Sequence, residues 1–287
     1  MRSKPMLALW LACASAASAQ VPPDGAPVLD LQTFQAALGP YGEWVAVSPY
    51  EEAWRPAGVD SGWRPYFDGY WTWTDDGWFW VSDEPWGWAT YHYGRWFYDG
   101  TFGWVWVPGY DWAPAWVAWR YGDGYVGWAP LYPGAVIWWE DYPVPITYWC
   151  FVPVVRFVGV PVQTIYVPSP TVREIFHRTR PAPPPVQRTG LAPRFGGPLR
   201  SAIEAVVGRP LPPARVVAAP TPEAARGRPH QGAIPAYRPR GVAPSPASAS
   251  AGGPAPAPRA EPPAPARRAP PAPQRTAPHG DEDRSLR

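Results

Sequence analysis

Cysteine is nearly missing from this chain, with only Cys13 and Cys150 among 287 residues. Cys13 falls in the leader described below, so a single thiol remains and an internal disulfide is excluded; packing has to hold the domain together. Cys150, inside the apolar run Tyr148 to Val155, reads as a small buried hydrophobe rather than a nucleophile. One long apolar run exists, Met6 to Ala17, and it is too short for a bilayer-spanning helix, which needs about 20 residues. Histidine is scarce as well. The four, at 92, 177, 230 and 279, show no metal-ligand spacing, and the chain has neither a phosphate loop nor a nucleophile elbow. These absences point away from enzymes: no catalytic residue, metal or cofactor is expected. The acidic pairs Glu51-Glu52, Asp75-Asp76, Asp83-Glu84 and Glu140-Asp141 are adjacent, so on a strand their side chains face opposite ways, and they read as turns and solvated edges.

The most telling absence lies between Tyr41 and Pro130, where there is no Leu, Ile or Met. Tryptophan takes their place. Nineteen of the twenty Trp lie between Trp44 and Trp149, and each indole can bury about 150–250 Å². The core is therefore expected to be aromatic, with glycines letting broad rings close over the backbone.

Five segments are predicted. Residues 1–19 are a secretory signal peptide: Arg2 and Lys4, the apolar run, then Ala17-Ser18-Ala19, with cleavage before Gln20. The alternative, lipidation at Cys13 in a Leu11-Ala12-Cys13 box, is set aside because Trp10 stands where such boxes carry Leu. Residues 20–40 are a linker and one short amphipathic helix, capped by Asp30, with Leu31, Phe34 and Leu38 on one face and Gly39-Pro40 as its stop. Residues 41–131 alternate with period two and are punctuated by turns, so they form an antiparallel β-hairpin repeat domain. Hairpins are predicted around Thr74-Asp75-Asp76-Gly77, Asp99-Gly100 and Gly122-Asp123-Gly124, joined as a meander. The repeat is about 25 residues: Gly77-Trp78-Phe79-Trp80-Val81 returns as Gly103-Trp104-Val105-Trp106-Val107. Residues 132–175 add β strands that pack on this domain. Residues 176–287 hold 26 of the 45 Pro and no Trp, so they form a long disordered Pro-rich C-terminal tail, relieved by one short helix with a Ser201 to Glu204 capping box and Gly208 as its stop. The fold class is all-β.

Charge divides along the same line. Gln20 to Ile175 has six Arg against seventeen acids, and Phe176 to Arg287 has seventeen Arg against six. An acidic head carries a basic tail. A basic exported tail meets anionic envelope polymers, and no specific nucleic acid is expected.

Tyr41-Gly42-Glu43-Trp44, Pro85-Trp86-Gly87-Trp88-Ala89, Tyr91-His92-Tyr93-Gly94-Arg95-Trp96, Gly103 to Gly109 and Gly127-Trp128-Ala129-Pro130-Leu131 together resemble the Trp-rich exported bacterial proteins classed as a domain of unknown function, many named only "proline-rich protein", over about residues 30–175. The resemblance implies a secreted β-rich module followed by a low-complexity tail; it brings no activity with it.

The strands carry apolar residues on both faces, Trp104 and Trp106 on one and Val105 and Val107 on the other, so each face needs a cover. Rings left uncovered would stack on sugars. Trp86, Trp88, Trp112 and Trp116, with His92 and Arg95 beside them, are the candidates for a glycan-binding surface. The functional expectation is an exported, non-enzymatic structural or interaction protein of the periplasm or cell envelope, with a carbohydrate-binding module as the alternative and cell-wall glycan or an anionic envelope polymer as partner.

Overall fold

A computed structural model describes residues 28–135, 144–182, 196–226, 229, 232–239 and 241–242. The expected leader with Cys13, Glu140-Asp141, His230, His279 and the chain beyond residue 242 lie outside the described residues. The chain begins with β1 (Val28–Leu29) and α1 (Leu31–Leu38). Asp30 caps α1 as expected, its Oδ1 accepting from the Thr33 amide at 2.8 Å. Phe34 and Leu38 on the inner face are fully buried, with Phe34 edge-on to Trp106 at 5.1 Å.

Four hairpins follow. They are β2 (Gly42–Val47) with β3 (Tyr50–Pro56), β4 (Gly69–Thr74) with β5 (Gly77–Ser82), β6 (Arg95–Asp99) with β7 (Gly103–Val107), and β8 (Val117–Gly122) with β9 (Tyr125–Pro130); the short α2 (Gly87–Thr90) sits between β5 and β6. All four are antiparallel, and their registers explain the repeat. Trp44 faces Trp54, Trp71 faces Trp80, Trp96 faces Trp106, and Trp119 faces Trp128, a directly opposed indole pair in every hairpin, and β4–β5 adds a second, Trp73 with Trp78. Turn chemistry is local. Asp99 Oδ1 accepts from the amides of Thr101 and Phe102 at 2.8 and 2.9 Å, and Asp123 with Gly124, at φ 48° and 78°, makes the two-residue turn between β8 and β9.

The expected meander is not formed. The hairpins are distributed over three sheets: β2-β3-β7-β6, the isolated pair β4-β5, and one that continues into later strands. Strands with two apolar faces are served better by stacking face to face than by joining edge to edge, because stacking covers rings on both sides. The indoles meet in the middle, where Trp71 packs against Trp80, Trp119 and Trp128 at 5.1, 4.5 and 5.4 Å.

Residues 144–175 supply one strand rather than several. That strand is β10 (Cys150–Pro153), which pairs with β9. Most of the cover comes from turns: Phe157, fully buried, lies against Trp78 at 4.7 Å and also meets Trp71, Trp119 and Trp128. Cys150 is a buried free thiol, and burial pushes it up to about 12, so it is inert at neutral pH.

Order continues past residue 176, where the sequence placed the start of the tail. α3 (Ser169–Arg178) crosses that boundary, and β11 (Arg180–Pro181) extends the β10-β9-β8 sheet. α4 (Arg200–Val207) follows, then β12 (Arg215–Ala219), β13 (Ala233–Tyr237), parallel to β12, and β14 (Gly241–Val242), parallel to β1. These segments add what the hairpins lack, aliphatic side chains and backbone hydrogen-bonding groups set against β4 and β5. Pro198 accepts from Trp78 Nε1 at 2.9 Å, Ala214 donates to the Trp73 carbonyl at 2.8 Å, and Ile203 is fully buried. α4 ends on Gly208 at φ 69° as expected, but the capping box is not made. Ser201 lies inside the helix, and Glu204 turns instead to the Leu211 amide at 2.8 Å. The charge division also closes on itself in part, since Arg178 pairs with Asp123 and Arg238 with Asp76.

Candidate functional site

The six residues singled out from sequence are not assembled into one open surface. Trp86 and Trp88 are 8 % and 5 % exposed. Trp86 packs between Tyr41 and Trp54 at 5.9 and 5.7 Å, and Trp88 against Phe34 and Tyr237. They are core because α2 turns its whole length inward: Gly87, Trp88, Ala89 and Thr90 are all buried. Trp112 and Trp116 are half-buried, and each ring carries a guanidinium: Arg238 lies 3.2 Å from the Trp112 ring centroid and Arg95 lies 3.3 Å from that of Trp116. Arg95 also donates to the Gly94 carbonyl at 2.7 Å. The Trp116 indole donates to the His92 carbonyl at 3.1 Å, and its backbone amide donates to the Tyr66 hydroxyl at 3.0 Å.

His92 is buried rather than presented. Its ring stacks on Trp112 at 5.8 Å with a 16° interplanar angle, lies 4.5 Å from Phe79, and places Nδ1 3.0 Å from the Ala113 carbonyl oxygen. Burial holds the imidazole down at about 4, outweighing the carbonyls of Ala113 and Pro114 that favour its charged form. It is neutral at pH 7 and donates one hydrogen bond.

Sequence reasoning missed Glu84, taken with Asp83 as a solvated edge. Asp83 is exposed, but the Glu84 carboxyl points inward, where Oε1 accepts from Trp63 Nε1 at 2.6 Å and Oε2 accepts from the Tyr91 hydroxyl and from Ser82 Oγ. Burial pushes this carboxyl up to about 8 against the three donors that favour its charge. The available signal was its setting, the acid directly before the Pro85-Trp86-Gly87-Trp88 run. A cavity of about 30 Å³ has both Glu84 and His92 in its wall, together with Ser82, Trp88 and residues 234–237. That volume suits one or two waters.

Because Glu84 is held protonated in the fold and ionised in the unfolded chain, the stability it contributes is complete below pH 4.5 and declines as pH rises toward 8. Between pH 6.5 and 8, above the range where His92 acts, the wild type is expected to lose about 2 kcal/mol, and Glu84→Gln to remove that slope. Urea unfolding at a series of pH values measures it; parallel slopes in the two proteins would show that Glu84 is not the group responsible.

The described residues thus define an all-β domain with an aromatic interior, and among them no group of His, Cys, Asp or Glu is placed to hold a metal. No helix among them is long and apolar enough to cross a membrane. Residues 35–135, from α1 to the loop after β9, match the family of unknown function DUF6600. No curated protein and no solved structure matches the chain.

Proposed function

We propose that this is an exported, non-enzymatic protein of the periplasm or cell envelope, whose aromatic β domain serves as a structural and interaction body. The observation that carries the reading is where the rings go. Trp54, Trp71, Trp78, Trp80, Trp96, Trp106 and Trp128 are at most 2 % exposed. Two of the half-buried indoles, Trp112 and Trp116, lie beneath arginines, and two cavities lined by described residues hold about 10 and 30 Å³, far below the 300–1,000 Å³ typical of small-molecule sites. The domain places its aromatic side chains in its interior, and with Cys150 a free thiol among the described residues, packing is what holds it together. The leader at 1–19 supports export, and the remaining arginine excess supports contact with anionic envelope polymers or wall glycan. Of the candidate indoles, Trp86 and Trp88 are buried and Trp112 and Trp116 each carry a guanidinium over the ring, so the carbohydrate reading stands second.

Fractionation of the native host tests the proposal. The chain is expected in the periplasmic or envelope fraction with Gln20 as its first residue by mass spectrometry, and the envelope-bound share is expected to come off in high salt. Recovery in the cytosol with residues 1–19 intact would overturn it.

A further inference from the structure

β12 and β13 form a two-stranded parallel ribbon, and a two-stranded ribbon alone is marginal in water. Its order therefore depends on what it lies against. The underside of β13 rests on the outer face of the β4–β5 hairpin: Ile234, 3 % exposed, clusters with Phe79 and Val81. Tyr237 stands edge-on to Trp88 at 5.5 Å, and its carbonyl accepts from the Tyr93 hydroxyl at 2.7 Å. Arg238, the next residue, lies on the Trp112 ring and pairs with Asp76 at the β4–β5 turn. The seat is incomplete, because the cavity of about 30 Å³ lies between residues 234–237 and the body, with the His92 side chain in its wall.

We propose that β12–β13 is a detachable flap over a platform of Phe79, His92 and Trp112 rings, latched by Arg238 and released when His92 takes up a proton. The flap's outer fastening is one half-exposed ion pair, Arg238 with Asp76, a class of contact worth little on its own. The rest is apolar seating on Phe79 and Val81 with two hydrogen bonds, from the Tyr93 hydroxyl to the Tyr237 carbonyl and from the Ala214 amide to the Trp73 carbonyl, and His92 sits where that seating meets the gap. The titratable and charged groups around His92 are Arg238 and Tyr237 from the flap, Asp76 beyond Arg238, and Glu84, whose carboxyl group is engaged by Trp63, Tyr91 and Ser82. Of these, Arg238 bears on the imidazole directly and opposes its charging. A proton on His92 places two cations against one indole, in a site that offers the new charge carbonyl oxygens but no carboxylate of its own. Burial already holds the imidazole at about 4, and reciprocity requires that charging it loosen whatever keeps it buried. The flap is the removable part of that cover. Its contribution is complete above the usual histidine range near pH 6.5 and is lost as pH falls through about 4. Once lifted, the flap bares the buried Phe79 and His92 rings and the Trp112 face that Arg238 covers.

Hydrogen-exchange mass spectrometry on the full chain between pH 6.5 and 4, normalised for intrinsic exchange rates, tests this. Protection of the Ile234, Ala236 and Tyr237 amides is expected to fall by about tenfold or more while β8 and β9 stay protected. In His92→Phe, which keeps a flat ring and cannot be charged, the flap is expected to stay protected over the same range. Loss of flap protection in both proteins at the same pH, no loss in either, or loss only together with β8 and β9 would overturn the proposal. Should His92→Phe fail to fold, the wild type alone decides by NMR. The imidazole must titrate at the pH where the flap opens, and a His92 charged near pH 6.5 beneath a still-protected flap would refute it.

Discussion

Trp71→Ala is expected to lose about 3–5 kcal/mol of unfolding free energy, a large part of what a domain of this kind has. Trp71 is fully buried, and its ring is enclosed by Tyr66 stacked at 6.1 Å, by Trp80, Trp119 and Trp128, and by Phe157 at 6.3 Å. Its neighbours come from the loop before β4, from β5, β8 and β9 and from the covering turn, so no single segment can move in to fill the space left. The cost is thus the lost transfer of the indole plus a cavity that persists. Urea unfolding followed by far-ultraviolet circular dichroism avoids reading the missing indole as a structural change. Trp112→Ala is the comparison, since that ring is half-buried and lies at the edge. Equal losses in the two variants would mean that the central indoles are not the core.

Gly127→Ala is expected to cost about 3 kcal/mol, through overpacking rather than backbone strain. A methyl group there would sit 2.2 Å from Phe151 Cε1, and Phe151 is fully buried on β10, directly across from Gly127 in the register. Gly124→Ala separates the two effects. Gly124 has φ 78° with nothing within 4 Å of the added carbon, so only the left-handed backbone penalises it, by about 1 kcal/mol. Phe151→Leu removes the obstructing ring atoms, and the double variant with Gly127→Ala should cost less than the two singles summed. Strict additivity would show that the glycine is not there to admit the ring.

The same close approach recurs at the start of the first three hairpins. A carbon added at Gly42, Gly69 or Gly94 would fall within 3 Å of the indole of Trp54, Trp80 or Trp106 respectively. This part of the fold was legible in the sequence because it is local: a Gly-x-Trp opening, alternation, and a Gly- or Asp-bearing turn state a hairpin within about 25 residues. The Asp30 cap was legible for the same reason. How hairpins assemble was not, because nothing near Trp54 announces its partner Trp106 across the β3–β7 seam, and nothing near Val28 announces Gly241. Pro-rich composition hid β13, whose Ile234 and Tyr237 lie in a stretch that reads as low complexity yet finds two aromatic seats. At the candidate site, residue types were read correctly as aromatic and basic, but their exposure was not, since burial is decided by the segments that fold over them. Trp86 and Trp88 have Pro and Gly neighbours and therefore look like loop residues, although α2 draws them inward. Glu84 was misjudged in the opposite sense, because three donors from Trp63, Ser82 and Tyr91 converge on it from separate positions along the chain.

The pairing of β1 with β14 has a consequence for the order of events in folding. Val28 and Leu29 are made early, yet their partners, Gly241 and Val242, are more than two hundred positions later. Closing so long a loop is entropically costly and slow, so the hairpins can form as the chain emerges while the seam between the two ends waits for nearly all of it. The N-terminal arm should accordingly be the last piece to acquire protection in a refolding time course.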